Sequence, residues 1–182
     1  MKFSDRSTSA PSWKGSNSST EQHAFTVSLG RAVIAGVAGS IANSLAIRVF
    51  QIYKIPTGTA GLSKLVLASC NAVLSATGSL LRFPEKLAQP WQEIFHTFMG
   101  ISMAVAFAVL FFRWLPGPPA ARGMIFSLLP WFLQSLVVDP YMGFGLFGIA
   151  LSPATPFVSL ALNALFGLVL GLIYRPKRTR LS

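Results

Sequence analysis

Read for its alternation of apolar and polar positions, the chain falls into long apolar runs separated by short basic or proline-bearing connectors. The last third shows the pattern plainly: GMIFSLLPWFLQSLVVDP, then the glycine-rich corner YMGFGLFG, then TPFVSLALNALFGLVLGLIY. Apolar runs of about 17 to 25 residues can cross the hydrocarbon core of a bilayer as helices. Four such spans are predicted, over residues 29–50, 93–114, 121–139 and 155–174. Pro130 is predicted to kink the third. Thr155 and Pro156 are predicted to be the N-cap and first helical residue of the fourth.

Small residues recur at every fourth position within the spans, which places them on one helix face where backbones can approach closely. They are Ala32, Gly36, Ser40 and Ser44 in the first span, and Gly100, Ala104 and Ala108, headed by His96, in the second. In the fourth span Asn163 heads a stripe with Gly167 and Gly171.

Residues 62–82 carry a different pattern. Leu62, Val66, Cys70, Val73, Thr77 and Leu80 share one helical face, and Lys64, Asn71, Ser75, Gly78 and Arg82 share the opposite one. An amphipathic helix with basic ends belongs in an interface, so this segment is predicted to lie on the membrane rather than cross it. The fold class expected is therefore all-α, an integral membrane four-helix bundle with one additional amphipathic interfacial helix.

Composition supports that class. Hydrophobic residues make up 52% of the chain and charged residues only 11%, with a mean hydropathy of +0.57, whereas a soluble domain carries about a quarter charged residues. The net charge of +10 does not point to nucleic acid, because the basic residues sit at the ends of apolar runs. Anionic lipid headgroups are the acidic partner expected. With four spans, ten basic residues (Lys2, Arg6, Lys14, Arg31, Arg113, Arg122, Arg175, Lys177, Arg178, Arg180) fall on the side of the termini, against five (Arg48, Lys54, Lys64, Arg82, Lys86) on the other. The positive-inside rule then places both termini in the cytoplasm. Residues 1–24, rich in Ser and Thr, are expected to be a disordered cytoplasmic tail, 25–175 the membrane domain and 176–182 a basic cytoplasmic tail. No apolar stretch follows the first basic residues, so no signal peptide is expected. The single cysteine, Cys70, excludes an intramolecular disulfide and a cysteine-pair metal site.

Polar residues inside the spans are few. With the topology above, Asn43, Arg48, His96, Gln134, Asp139 and Asn163 all fall in the half of the membrane away from the termini. One reading is a polar vestibule, with His96 and Asp139 as a proton-carrying or cation-binding pair. The other is that His96 and Asp139 are hydrated at the headgroups while the amides join helices. One histidine and one carboxylate make no metal site, and no GxSxG elbow, Walker A loop or dinucleotide fingerprint is present. No enzyme activity, cofactor or metal is expected.

Three stretches carry a resemblance: Pro130–Trp131 with the corner DPYMGFGLFG, the closing FGLVLGLIY, and HTFMGISMA after Trp91. Over roughly residues 30–174 they resemble a family of small bacterial inner-membrane proteins of unknown function, the YagU-like proteins. Where that pattern has a histidine opening the last span and an apolar residue before the corner proline, this chain has Asn163 and Asp139. The resemblance implies four helices and a bacterial inner membrane, and it implies no activity. Two functions follow as expectations. The first is a structural or accessory component packing against itself or a larger membrane assembly. The second is a small oligomeric transporter or channel with an outward-facing polar vestibule.

Overall fold

The structure, a computed structural model, describes residues 23–58, 61–175 and 177–180. Helices dominate. Four are long and apolar enough to cross a membrane: Leu29–Ile52, Gln89–Phe111, Pro119–Tyr141 and Thr155–Ile173. A shorter apolar helix lies between the first two. The chain thus has the build of a multi-pass membrane protein, as its pattern predicts.

In chain order these are α1 (Leu29–Ile52), α2 (Gly61–Ala76), α3 (Gln89–Ala106) continued by a π turn over Phe107–Phe111, α4 (Pro119–Leu133) continued by a π turn over Gln134–Val138, the short α5 (Asp139–Tyr141) and α6 (Thr155–Ile173). Two short strands join the ends of the described chain. Here β1 (His23–Thr26) pairs antiparallel with β2 (Lys177–Arg180), His23 opposite Arg180. His23 and Ala24, the end of the tail expected to be disordered, belong to this ribbon; the remainder of the 1–24 tail lies outside the described residues.

The spans run up, down, up, down. Gly36 and Ser40 of α1 meet Gly100 of α3, and further along Ser44 meets Glu93, so these two helices are antiparallel. α4 and α6 form the most extensive helix pair and are also antiparallel, with Gly123 against Gly167 and Trp131 against Ser159. α1 completes the bundle by packing on α6, where Gly39 lies against the Phe166 ring. These contacts depend on missing side chains. A Cβ on Gly36 would sit 2.7 Å from the Ile101 Cα, and one on Gly171 2.9 Å from the Ala120 Cα. In lipid, close packing of this kind holds helices together in place of a hydrophobic driving force.

The two ends of the bundle differ. At the end bearing the termini, Phe107, Phe112, Phe126 and Tyr174 form one buried cluster, with ring centroids 5.1–5.8 Å apart and edge-on or tilted. Ala32, Ala35, Ala104, Ala108 and Leu170 close around it. Arg122 ties down the turn above, donating to the carbonyls of Gly117 and Phe112 and lying over the Phe112 ring.

At the opposite end the connectors fold inward. α1 closes with the amides of Ile55 and Lys54 donating to the carbonyls of Phe50 and Gln51. α2 closes the same way at Gly78, whose φ of 71° permits the reversal. This ends α2 at Ala76, six residues short of the predicted Arg82. Asn71 then clasps the returning chain, donating to the Phe83 carbonyl at 3.0 Å and accepting from the Phe83 amide at 2.7 Å. Only the start of α2 is packed on protein: Gly61, Ser63 and Leu67 are buried, while Val66, Cys70 and Val73 are exposed. At sixteen residues, and about 1.5 Å of rise per residue, α2 is shorter than a hydrocarbon core of about 30 Å.

The start of α6 differs by one position from the prediction. Ala154 is the N-cap, and Thr155 is already helical, with its hydroxyl turned to the Pro56 carbonyl at 3.4 Å. The hydroxyl serves a contact with the α1–α2 connector instead of the helix end.

Candidate functional site

The small residues of α1 and α3 bring the two helices to their closest approach at Gly36, Ser40 and Gly100. Beyond that crossing, toward the end remote from the termini, the bundle encloses a cavity of about 240 Å³. Gly100, Met103 and Phe166 line its depth, and Thr57, Gly58 and the start of α2 border it at the connector end. Small polar ligands occupy concave sites of this order, lined by apolar surface with a few convergent polar groups.

Five residues singled out from the sequence line this cavity: Asn43 and Arg48 from α1, His96 from α3, Gln134 from the π turn after α4, and Asn163 from α6. Ser40 and Ser44, read from the pattern as packing residues, line it as well. Asp139 is set back from it. Its side chain lies behind Gly58, near Gln134 and against Gly148, and only 2% of it is exposed. A hydrated carboxylate at the headgroups is thereby corrected to a buried one. The cause is the fold of the corner, which packs Gly148 and Thr155 over the start of α5.

A residue absent from the sequence reading organises the mouth. The Glu93 carboxylate accepts from the Ser44 hydroxyl at 3.1 Å and pairs with the Arg48 guanidinium at 3.6 Å. Both charged side chains are partly exposed, so the pair is a surface ion pair of about 0–1 kcal/mol. Glu93 stands three residues before His96 and therefore on the same helix face. That spacing could have flagged it. No hydrogen bond or ion pair among the described residues joins His96 to Asp139.

Deeper in, the hydrogen bonding is incomplete. Ser40 Oγ, Asn43 Oδ1 and His96 Nε2 are buried with no partner, and all three residues line the cavity. The Asp139 Oδ1 is likewise unpartnered. Leaving a buried polar group unpaired costs about 1–3 kcal/mol, and native proteins carry few such groups.

The amides do not join helices as expected. Asn163 donates to the Ser159 carbonyl at 2.9 Å, one turn back in its own helix. Between α4 and α6 a hydrogen bond runs instead from Trp131 Nε1 to Ser159 Oγ at 3.1 Å. Among the described residues no three His, Cys, Asp or Glu side chains cluster as metal ligands.

Compared with known proteins, the chain matches no family model, no curated protein and no solved structure.

Proposed function

We propose that this protein binds a small polar solute in the cavity between α1, α3, α4 and α6, as a subunit of a small oligomeric transporter or channel. One observation carries the reading: three buried polar atoms from two facing helices, Ser40 Oγ, Asn43 Oδ1 and His96 Nε2, lack partners, and their residues line one cavity of about 240 Å³. Atoms left bare in this way are satisfied when a solute supplies the missing hydrogen bonds. The ion pair of Arg48 and Glu93 stands at the mouth, and the aromatic cluster at the other end closes the path beyond. With both termini in the cytoplasm, as the basic residues favour, the mouth opens outward from a bacterial inner membrane.

The test is solute-dependent stability of the detergent-purified full chain. A panel of small cations, anions and neutral solutes is titrated while thermal unfolding is followed. At least one solute raises the midpoint saturably, and Asn43→Leu with Ser40→Ala removes that response. If no solute shifts the midpoint, the binding reading falls.

A second reading, an accessory component of a larger membrane assembly, is favoured by the outer face of α1. Ile34, Ile41, Leu45 and Ile52 are more than half exposed and repeat at spacings of seven and four, the seam of a helix that pairs with another. A stoichiometric foreign membrane protein copurifying after mild extraction supports it, and a pure homo-oligomer counts against it.

A further inference from the structure

We infer that the polar solute is the uncharged, hydroxyl-bearing head of a single-chain amphiphile, whose alkyl chain lies in a groove between α1 and α6. The inference rests on the binding reading above and names the class of what is bound. It starts from a second concavity. Ala46, Val49 and Phe50 of α1 and Ala161, Leu162 and Leu165 of α6 line an apolar groove of about 360 Å³. Val49 and Ala161 are exposed, and both helices have the length and composition of membrane spans. The groove therefore opens to acyl chains.

Groove and polar cavity flank one seam. Leu162 lines both, and with only 5% of it exposed it stands as the wall between them. One turn nearer the termini the seam is tight, since a Cβ on Gly39 would lie 2.8 Å from the Phe166 ring. On α1, Asn43 lines the cavity, and Phe50, two turns on and on the same helix face, lines the groove. A head bonded to Asn43 thus has the groove one side chain away. Leu162 closes that passage in this conformation, and turning it aside joins the two.

The cavity selects a neutral head. Among the described residues its charged lining groups, Arg48 and Glu93, are paired with each other. A charged head would leave water without a counter-charge of its own. The unpartnered atoms instead ask for both kinds of hydrogen bond. Asn43 Oδ1 only accepts, the Ser40 hydroxyl does both, and His96 Nε2 does either according to its tautomer. Hydroxyls on the head donate and accept in the same way. The chain adds little affinity, because bilayer hydrocarbon is as apolar as the groove. Binding strength therefore resides in the head, and the groove selects the single chain.

The experiment places the full chain in phosphatidylcholine nanodiscs containing a monoacylglycerol with a diazirine in its acyl chain. After illumination, labelled peptides are mapped. Labelling is expected to concentrate at residues 46–50 and 161–165 and to be displaced saturably by unlabelled mono-olein. Oleate, oleylamine and hexadecane at the same mole fraction should displace it weakly. Asn43→Leu with Ser40→Ala should weaken mono-olein by about tenfold or more, the worth of two hydrogen bonds. Should that variant fail to fold, Ala161→Trp fills the groove from its lipid side and is expected to abolish the local labelling. Displacement by oleate or oleylamine in place of mono-olein overturns the neutral head. Saturable labelling that neither variant changes overturns the joining of groove and cavity. Labelling spread evenly over the lipid-facing helices overturns the amphiphile inference. In that event a small solute that still stabilises the protein in the panel above leaves the binding reading standing, and failure of both removes it too.

Discussion

Gly123 of α4 and Gly167 of α6 meet backbone to backbone: a Cβ built on either would overlap the carbonyl oxygen of the other. Gly167→Ile is accordingly expected to destabilise the bundle by about 3 kcal/mol, the upper range for overpacking, in equilibrium unfolding by sodium dodecyl sulfate. Gly30, with nothing within 4 Å of its would-be Cβ, is the control. Gly30→Ala should be neutral or gain up to about 1 kcal/mol from helix propensity. Equal tolerance at the two positions would mean that α4 and α6 do not cross here.

Because Asn163 bonds to its own helix and Trp131 bonds across to Ser159, Ser159 and Asn163 should behave differently. Trp131→Phe and Ser159→Ala are expected to couple by about 0.6 kcal/mol in a double-mutant cycle, the average for such bonds in membranes. Asn163→Leu should leave the α4–α6 association unchanged. Additivity of the first pair would remove that hydrogen bond from the account.

Gly148 holds φ at 70°, and a Cβ there would lie 2.8 Å from the Thr155 Cγ2 and 3.3 Å from the Asp139 Oδ2. Gly148→Ala is expected to cost at least the 1–2 kcal/mol of left-handed backbone strain. It should also loosen the packing around Asp139, seen as faster amide exchange over residues 139–148. Wild-type exchange rates in that variant would show that the corner does not depend on this glycine.

α2 is expected to rest in the interface remote from the termini, with Cys70 turned to lipid. Ser75, an exposed residue whose hydroxyl bonds only back to the Asn71 carbonyl, then points to water. Ser75→Cys in a Cys70→Ala background should react with an impermeant thiol reagent applied outside intact cells, and native Cys70 should react poorly. Strong labelling of Cys70 together with an unreactive Ser75→Cys would reverse the two faces. Asn71→Ala, which removes the clasp on Phe83, is expected to open residues 77–88 to limited proteolysis.

The apolar spans were legible because their signal is long and local: α1 begins at Leu29, as the pattern predicts, and α6 at Thr155, one position before the predicted first helical residue. The end of α2 was not. Its amphipathic wheel continues to Arg82, but the reversal at Gly78 depends on Asn71 reaching a residue twelve positions on. Asn43, Arg48, His96, Gln134 and Asn163 could be placed in one half of the membrane from topology alone, and the structure sets all five on one cavity. Topology fixes the half of the membrane but not azimuth, which is why Asp139 falls in the same half and yet is not among the lining residues. Glu93 was passed over because a carboxylate at a span end reads as a boundary. Its partners, Ser44 and Arg48, come from another helix.

The aromatic cluster of Phe107, Phe112, Phe126 and Tyr174 has an electrical consequence. Packed rings offer no water file and no chain of hydroxyls along which protons could hop. On the binding reading proposed above, a solute entering the cavity in this conformation leaves by the mouth it entered. Cells overproducing the protein should therefore hold their membrane potential. Replacing Phe107 and Phe126 by alanine, which empties the centre of the plug, should let that potential leak.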